Sequence, residues 1–454
     1  MPATTTPVEP DAIGGDNKPK TKSTMTGFYV SKPGGSLRED LPIPEPGAGE
    51  ARIRVLRAGV CNTDLEILEG YMGFEGVLGH EFVGIVEAIN TEHQRSREED
   101  LRERWIGKRV CGDINVGCAS CGVCANSPFD LDGVGGCVKY SRNHCPNRTV
   151  LGILNKHGTM AEYLTLPLRN LHEVPDHVSD EVAVFAEPLA AACRIVEQNL
   201  VRYENNGGSG LPPDRVAILG DGKLGLMIAE VLGREHSFRL GGGSDDDDGR
   251  TTRPPRPVLF GKHAHKLGLV EGTSGVECRS VSECIDTGSF TGVARKHEHA
   301  YDVVVDATGS PAGLKLAAGM CRPMGTLVLK STCAAGAEQF NAAPFVIDEL
   351  RVVGSRCGPI DRALELLAIT DGPSGSGESS SSSCNNSKND AGDVDVDGDD
   401  TNNNERTKQI HPSVRPLHVE KYITKTFPLS EAPAAIKCAA ERTTMKVQIV
   451  CSSR

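Results

Sequence analysis

Five cysteines that lie close together in the sequence could supply the ligands of a metal ion. Cys118, Cys121 and Cys124 are separated by two residues each, and Cys137 and Cys145 follow further along the chain. Thiolates at this spacing on a loop converge on one tetrahedral zinc ion, which a fourth thiolate completes. Because four thiolates leave no position for a substrate, this zinc is predicted to be structural. Cys145 is the preferred fourth ligand, and Cys137, which falls in a Gly/Asp-rich insertion, is the alternative.

A second set of metal-binding residue types is dispersed along the chain. Cys61 occurs in CNTDLE, His80 and Glu81 occur in GHE, and Glu187 occurs in FAEPLA. One thiolate, one imidazole and two carboxylates can hold a catalytic zinc that keeps an open position for substrate. Such a zinc acts as a Lewis acid and lowers the pKa of a bound alcohol, so that hydride can leave at neutral pH. The hydroxyl of Thr63, two residues after Cys61, is placed to begin a proton relay.

A glycine-rich motif predicts a nucleotide-binding turn. Its six residues are Gly220, Asp221, Gly222, Lys223, Leu224 and Gly225. The motif directly follows a short apolar run at 215–219 and leads into an apolar-periodic stretch at 223–234, so it is predicted to join a strand to a helix. The glycines permit a tight turn and close approach of the backbone, and the helix N-terminus attracts a pyrophosphate.

The end of the second predicted strand of this region bears on the choice of coenzyme. An NAD site usually carries an acid there that binds the ribose hydroxyls, but the sequence reads Phe260, Gly261, Lys262 and His263. Lys262 and His263 could instead neutralise the 2′-phosphate of NADP. The sequence therefore favours NADP over NAD.

These motifs are embedded in two different patterns of elements. Strands are predicted at 25–30 and 51–59, with a turn-rich stretch between them. The chain up to about residue 180 is mainly β, and a helix is predicted at 180–200. Beyond it, apolar strands alternate with helices, which indicates a parallel sheet of the βαβ type. The later predicted strands are at 216–219, 257–260, 302–306, 326–329, 351–354, 419–427 and 446–450.

Length and composition divide the chain into domains and inserts. The 454 residues exceed what one hydrophobic core usually accommodates, so two domains are expected. Residues 1–24 are predicted to be a disordered N-terminal segment, and the polar stretches 241–257 and 371–409 to be disordered surface inserts.

Charge and cysteine usage exclude several classes of protein. The net charge of −12 argues against a nucleic-acid-binding protein, and no apolar run is long enough to span a membrane. The sixteen cysteines occur without an apolar signal-peptide core, which indicates thiols and metal ligands in a reducing, cytoplasmic protein. Import into an organelle is the less favoured alternative, because the Thr/Pro-rich N-terminus carries acids as well as lysines.

With these motifs the sequence resembles the zinc-containing medium-chain dehydrogenases/reductases, the zinc-type alcohol dehydrogenase superfamily. The resemblance extends from about Met25 to Cys451 apart from the inserts. It is carried, in the family's order, by CNTD, GHEFVG, HCPNRTVLG after the cysteine cluster, AEYL, EPLAAA, GDGKLG, VVDATG and FPLSEAPAAIK. It implies an α/β protein with a GroES-like, mainly-β catalytic domain built from both chain ends, over 25–196 and 357–454. It further implies a Rossmann nucleotide-binding domain with a doubly wound parallel sheet over 197–356. It also implies an active site between the domains and assembly as a homodimer or homotetramer.

The resemblance also implies roles for single residues. Cys61, His80 and Glu187 match the family's zinc-ligand positions, and Glu81 matches a carboxylate that coordinates zinc in some members and lies nearby in others. Glu187 stands where ethanol-type enzymes use cysteine, and Glu66 stands where they often carry a relay histidine. Both features resemble the polyol, glucose and threonine dehydrogenase branch.

The expected function is zinc-dependent hydride transfer between the hydroxyl of a small-molecule alcohol, polyol or sugar and NADP or NAD, with a second, structural zinc. One alternative is a zinc-independent quinone or enoyl reductase of the same superfamily, whose members typically lack both cysteine-containing sets. The other is a catalytically silent nucleotide-binding scaffold, since filled chemical positions do not prove turnover. The long stretch between Cys124 and Cys145 and the insert at 241–257 depart from the family pattern.

Overall fold

The computed structural model describes a β-rich region and a region built on a parallel sheet. The described residues are 23–31, 34–92, 95–125, 143–203, 212–240, 255–288, 292–332, 342–370 and 415–452. Several features predicted from the sequence lie outside the described residues, namely the N-terminal segment up to residue 22, Cys137, and residues 241–254 and 371–409 of the two inserts. No helix within the described ranges is long and apolar enough to cross a membrane.

The β-rich region is built around one long strand. Its strands are β1 (Thr24–Val30), β2 (Gly35–Pro42), β3 (Glu50–Val60), β4 (Gly76–Val77), β5 (Glu81–Ile89), β6 (Arg109–Gly112), β7 (Asn115–Val116), β8 (Thr149–Leu151), β9 (Asn155–Lys156), β10 (Tyr163–Pro167) and β11 (Leu171–Glu173). In β3, the buried residues Ala51, Ile53 and Val55 alternate with the half-buried Arg52 and Arg54. This period of two orients one face of the strand to the core, as the sequence predicted.

The second region contains a six-stranded parallel sheet. Its strands are β12 (Val216–Leu219), β13 (Val258–Gly261), β14 (Glu277–Ser280), β15 (Tyr301–Asp306), β16 (Cys321–Leu329) and β17 (Arg351–Gly354). Their order is β14-β13-β12-β15-β16-β17, and every neighbouring pair is parallel. This is the strand order of a doubly wound dinucleotide-binding sheet. All four residues of the central strand β12 are buried, as expected where helices cover both faces of a parallel sheet.

The C-terminal part of the chain returns to the β-rich region. β18 (Ile423–Pro428) and β19 (Lys446–Val450) join its main sheet, in which β19 runs antiparallel to β3 with Val447 opposite Val60. The strand order of this sheet is β11-β6-β5-β3-β19-β18, and β10 also pairs with β3. One sheet is therefore built from both halves of the chain. The predicted fold class is confirmed, whereas the exact domain boundaries stay a prediction.

Helices connect and cover these sheets. They are α1 (Asn62–Leu68), α2 (Glu98–Trp105), α3 (Gly122–Ala125), α4 (Asp180–Ala183), α5 (Ala186–Glu197), α6 (Lys223–Leu240), α7 (Ala264–Leu267), α8 (Pro311–Met320), α9 (Ala343–Ile347), α10 (Ile360–Leu367) and α11 (Ala432–Ala439). Leu189 of α5, Leu226 of α6 and Leu364 of α10 belong to one buried apolar cluster with Val83 of β5. This shared core fixes the two regions against each other.

Three predictions about single elements were wrong. The stretch 32–49, predicted to be turns, contains β2, which pairs with β1. Because β2 is a largely exposed edge strand, its sequence is polar and lacks the apolar alternation that predicts a strand. The helix predicted at 180–200 is divided into α4 and α5 by a break at Val184 and Phe185. The strand predicted at 419–427 begins only at Ile423, because Val419–Tyr422 forms a 3₁₀ turn.

Candidate active site and metal centres

The structure brings four of the clustered cysteines together on the loop between β7 and β8. The Sγ atoms of Cys118, Cys121, Cys124 and Cys145 all lie within 4.8 Å of one another. Those of Cys121 and Cys145 are 3.7 Å apart, and the backbone N–H of Cys118 donates to Cys145 Sγ at 3.4 Å. The donor set and its compactness fit a tetrahedral zinc ion with four thiolate ligands. Cys137 falls in the part of the chain that the structure does not describe.

The protonation of these thiols is strongly uneven. Hydrogen bonds from the Ser120 hydroxyl and from backbone N–H groups lower the pKa of Cys118 to about 5. Burial and the neighbouring thiol of Cys145 raise the pKa of Cys124 to about 12. Adjacent thiolates repel each other, so that four of them ionise together only around a shared cation. A shared cation at the centre of the four sulfur atoms would stabilise all four thiolates together.

The dispersed set converges at the junction of β3 and β5. Cys61 follows the last residue of β3, and His80 directly precedes β5, whose first residue is Glu81. These two strands are antiparallel neighbours, with Gly59 opposite Glu81. As a result, ligand atoms of Cys61, His80 and Glu81 all lie within 4.8 Å of one another. A thiol, an imidazole and a carboxylate at this separation fit a zinc ion with an open position.

Asp64 contacts two members of this group, Cys61 and His80. Its carboxylate is fully buried; Oδ2 accepts a hydrogen bond from the backbone N–H of Cys61 at 2.8 Å, and Oδ1 lies 3.3 Å from His80 Nδ1. Burial lowers the pKa of His80, but the negative charges of Asp64 and Cys61 outweigh burial and raise that pKa well above its ordinary value. Asp64 Oδ1 and His80 Nδ1 are in ion-pair contact without a hydrogen bond. A carboxylate at this position favours a proton on Nδ1, which would leave Nε2 to bind a metal.

Glu81 has a second partner that the sequence did not indicate. Lys446, the first residue of β19, donates from Nζ to Oε1 at 2.7 Å and to Oε2 at 2.6 Å, and both side chains are buried. Burial lowers the pKa of Lys446, but Glu81 outweighs it, and the pKa is raised. Gly59 is required beside this pair, because a Cβ at that position would collide with the Glu81 carboxylate. Glu81 is thus held as a paired carboxylate at the edge of the group.

Glu187 and Thr63 lie beside the same group. Glu187 is in the first turn of α5, and burial raises the pKa of its carboxyl to about 7, an effect that His80 partly offsets. Its carboxylate is not among the ligand atoms that lie within 4.8 Å of one another in the described structure. The Thr63 hydroxyl is 3.9 Å from Cys61 Sγ. Thr63 therefore contacts this group, whereas Glu187 influences it electrostatically without joining the three clustered ligand atoms.

The glycine motif forms a tight turn between β12 and α6. Gly220 has φ +111°, and a Cβ there would lie 2.8 Å from the carbonyl oxygen of Ala307, so only glycine fits. Gly222, Leu224 and Gly225 complete the turn and the start of the helix. Their placement at a strand-to-helix junction is the one that binds a pyrophosphate in dinucleotide-binding folds.

The side chain of Lys223 points from this turn towards the dispersed metal group. Its Nζ donates to Oδ1 of Asn62, the residue after Cys61, at 3.3 Å. Burial and the positive charge of Lys446 both lower the pKa of Lys223. The contact bridges the parallel-sheet region and the β-rich region. The nucleotide turn and the candidate catalytic residues therefore lie next to each other.

Comparison with known proteins agrees with this architecture. The family model "Alcohol dehydrogenase GroES-like domain" matches residues 47–176. The chain is similar to L-threonine 3-dehydrogenase of an Anaeromyxobacter species, with 29% identity over 44% of this chain and 54% of that protein. It is also similar to D-altritol 5-dehydrogenase of Agrobacterium fabrum, with 28% identity over 76% of this chain and 88% of that protein. These similarities support the resemblance to the zinc-containing medium-chain dehydrogenases that the motifs indicated.

This chain has the same fold as a solved zinc-binding dehydrogenase structure. The crystal structure of a zinc-binding dehydrogenase from Sinorhizobium meliloti 1021, bound to NADP, aligns with a TM-score of 0.64 at 23% identity, over 94% of this chain and all of that chain. The matches to the first curated relatives cover only about half of the length of those proteins. The shared fold agrees with the resemblance that the motifs indicated.

Sequence reasoning missed three charged residues of this dehydrogenase fold. Asp64 had a local signal, since an acid at the third position of a helix that begins after Cys61 is a typical capping residue. Lys446 had none, because it lies 365 residues from its partner Glu81. Asp221 was noted only as part of the glycine motif. Its Oδ2 accepts hydrogen bonds from the backbone N–H groups of Lys262 at 2.8 Å and His263 at 2.6 Å.

The position of Asp221 corrects one premise of the coenzyme prediction. The sequence around residues 260–263 contains no acid, which favoured NADP. In the structure, the Asp221 carboxylate reaches the end of β13 from the neighbouring turn. Lys262 and His263 follow β13 as predicted, and the side chain of His263 is partly exposed, with Nδ1 3.0 Å from Asp221 Oδ2. The end of the second strand therefore carries a carboxylate as well as the two basic residues.

Proposed function

We propose that the protein is a zinc-dependent oxidoreductase that transfers hydride between the hydroxyl of an alcohol, polyol or sugar and a nicotinamide coenzyme. The observation that carries this proposal is the contact of Lys223 with Asn62, which links the nucleotide turn to the residue beside Cys61. A coenzyme held by the turn would thus lie next to the candidate catalytic group. Direct hydride transfer requires this proximity.

Each member of the candidate catalytic group has a distinct role in the proposal. Cys61 and His80 would hold the zinc, which when bound supplies Lewis-acid polarisation of the substrate hydroxyl. Glu187 is the favoured carboxylate ligand, because Glu81 already accepts two hydrogen bonds from Lys446. Asp64 would fix the tautomer of His80. Thr63 would accept the substrate hydroxyl proton and pass it towards solvent.

The thiolate cluster is proposed to bind a second, structural zinc. Its ligands would be Cys118, Cys121, Cys124 and Cys145. The loop that carries them is tied to the chain after β17, because Arg356 donates to the carbonyl of Asn143 at 3.3 Å. A metal at this loop would therefore stabilise this segment without taking part in the reaction.

The coenzyme is proposed to be NADP or NAD, with NADP slightly favoured. Lys262 and His263 support NADP, because both lie directly after the strand whose end faces the adenosine ribose in this fold. The substrate is proposed to belong to the polyol or amino-alcohol class, which the altritol and threonine dehydrogenases among the relatives support. We also propose that the protein acts in the cytoplasm, on the basis of its thiol-rich composition.

We further propose assembly as a homodimer or homotetramer. The strand β17 lies at the edge of the parallel sheet and pairs only with β16 in the described chain. Apolar side chains are exposed around this edge: Met324 by 70%, Val346 by 72% and Ile347 by 77%. An apolar sheet edge of this kind is normally covered by a partner.

Turnover on a panel of substrates tests the proposed function. Purified protein is offered polyols, sugars, amino-alcohols and secondary alcohols with NADP and with NAD, and nicotinamide absorbance is followed with and without a zinc chelator. We expect reduction of the coenzyme by a subset of the panel and its loss on chelation. Coenzyme binding without turnover by zinc-loaded protein would favour the silent scaffold. Turnover that survives complete removal of zinc would favour the zinc-independent reductase.

A further inference from the structure

Asp221 is a buried carboxylate at the end of the second strand of the parallel sheet. Only 10% of its side chain is exposed. One oxygen, Oδ2, lies within hydrogen-bonding distance of three nitrogen atoms, the backbone N–H groups of Lys262 and His263 and the ring Nδ1 of His263. The other oxygen, Oδ1, has no hydrogen-bond partner among the residues that the structure describes. The carboxylate is therefore held by one oxygen, and the second makes no hydrogen bond within the described residues.

The end of β13 is shaped to admit this carboxylate. Gly261 is the last residue of the strand, and a Cβ there would lie 2.7 Å from Asp221 Cβ and 2.8 Å from Oδ2. A longer side chain at position 261, including an aspartate, would displace Asp221. An acid at position 261, where this strand usually ends in one, and Asp221 in the glycine turn therefore cannot both occupy this space.

Two kinds of charge meet at this position. Lys262 is exposed, and its ammonium has no hydrogen-bond or ion-pair partner in the described part of the chain. The ring of His263 contacts that of His265, with centroids 5.8 Å apart, so that a second imidazole lies near the same turn. A 2′-phosphate would be attracted by Lys262 and repelled by Asp221. A ribose with free hydroxyls could donate to Asp221 without meeting this repulsion.

We infer that Asp221 is a coenzyme-specificity residue that recognises the ribose hydroxyls of an adenosine lacking a 2′-phosphate. Asp221 thereby opposes Lys262, and the site accepts NAD as well as NADP. In NAD-binding folds an acid at the end of the second strand binds the ribose hydroxyls. Here Asp221, the second residue of the glycine motif, would bind them instead. The inference rests on the proposed function only in that the ligand is a nicotinamide dinucleotide.

Binding of adenosine fragments to the full-length protein tests the inference without requiring turnover. The probes are AMP and adenosine 2′,5′-bisphosphate, followed by NADH and NADPH, measured by isothermal titration calorimetry. The variants are Asp221→Asn, Asp221→Ser and Lys262→Met. Glu283→Gln is the matched control, since it removes an exposed carboxylate that is paired with Lys296 elsewhere on the same region. Thermal melting of each variant reports whether it folds.

We expect the Asp221 and Lys262 variants to change the ratio of the affinities for AMP and adenosine 2′,5′-bisphosphate in opposite directions. Wild-type protein binds both fragments with similar affinity. Asp221→Asn and Asp221→Ser shift the affinity ratio towards the bisphosphate by about tenfold, which equals about 1.4 kcal/mol. Lys262→Met shifts the ratio towards AMP, and Glu283→Gln leaves it unchanged. Asparagine keeps an acceptor oxygen at the reach of Oδ2, whereas serine is one bond shorter. Comparing the two variants separates the charge of Asp221 from its anchoring of the turn.

Two outcomes would overturn the inference. If both Asp221 variants fold but change the affinities for AMP and the bisphosphate by the same factor, Asp221 only holds the turn. If wild-type protein binds neither the fragments nor the dinucleotides, the proposed oxidoreductase function fails first and this inference fails with it. Changes of the affinity ratio in the expected directions would support the role of Asp221, whether or not the protein turns over any substrate of the panel.

Discussion

The two cysteine-containing metal groups differ in how the chain builds them. The thiolate cluster is local, since Cys118 and Cys145 are only 27 residues apart and lie on one loop. The group around Cys61 is assembled from the ends of β3 and β5. It is surrounded by the buried Asp64 and Lys446 and the half-buried Glu187. A local cluster of identical ligands favours tight metal binding. A dispersed group with buried acids and bases favours control of protonation, which a reaction needs and a structural site does not.

The largest expected effect separates the two groups by activity. Cys61→Ser should lower turnover at least about a thousandfold, because loss of Lewis-acid assistance costs roughly 4 kcal/mol of transition-state stabilisation. Its melting temperature should stay close to that of wild type. Steady-state nicotinamide reduction and thermal melting are measured side by side, with Cys438→Ser, a partly buried cysteine outside both groups, as the control. Full activity of Cys61→Ser would refute the catalytic assignment.

The second effect separates the groups by stability. Cys118→Ser should destabilise the fold by about 3 kcal/mol, because a zinc that binds only the folded loop contributes its binding free energy to folding. The activity of the protein that remains folded should change much less than in Cys61→Ser. Denaturant unfolding with and without chelator provides the measurement. A chelator that leaves the unfolding midpoint of wild-type protein unchanged would contradict a structural role for the cluster.

A smaller effect tests the charges that distinguish the Cys61 group. Asp64→Asn should lower turnover by about 10- to 100-fold, since it removes the carboxylate that orients His80 and increases its basicity. The zinc affinity of this site should fall in parallel, while that of the thiolate cluster should not. Asp176→Asn, at an exposed position, is the control. Wild-type turnover by Asp64→Asn at saturating zinc would show that Asp64 serves folding only.

The smallest effect concerns the coenzyme and should leave both metal groups intact. Lys262→Asp should weaken NADP relative to NAD by about tenfold, or about 1.4 kcal/mol, because it reverses a charge beside the 2′-phosphate. The Michaelis constants for both coenzymes are compared with those of Lys315→Asp, an exposed control on α8. Equal losses for NADP and NAD would remove the support that Lys262 gives to NADP.

The comparison also explains what the sequence could predict. The cysteine spacing, the strand-to-helix context of the glycine motif and the alternation in β3 are local patterns, and each predicted its feature correctly. The polar edge strand β2 was missed because its exposed residues lack an apolar alternation. Lys446 and Asp221 act on partners that only the fold brings near, across 365 residues in one case and 41 in the other. Contacts of this kind leave no periodicity in the sequence.

The most direct test of a catalytic and a structural zinc is to count zinc ions and measure turnover in the same samples. Native mass spectrometry of the full-length wild type, Cys61→Ser and Cys118→Ser is combined with nicotinamide reduction by each preparation. We expect two zinc ions per wild-type chain and one in each variant, with turnover abolished by Cys61→Ser and retained by folded Cys118→Ser. A single zinc in the wild type, or full turnover in protein that has lost the zinc of the Cys61 group, would contradict this expectation.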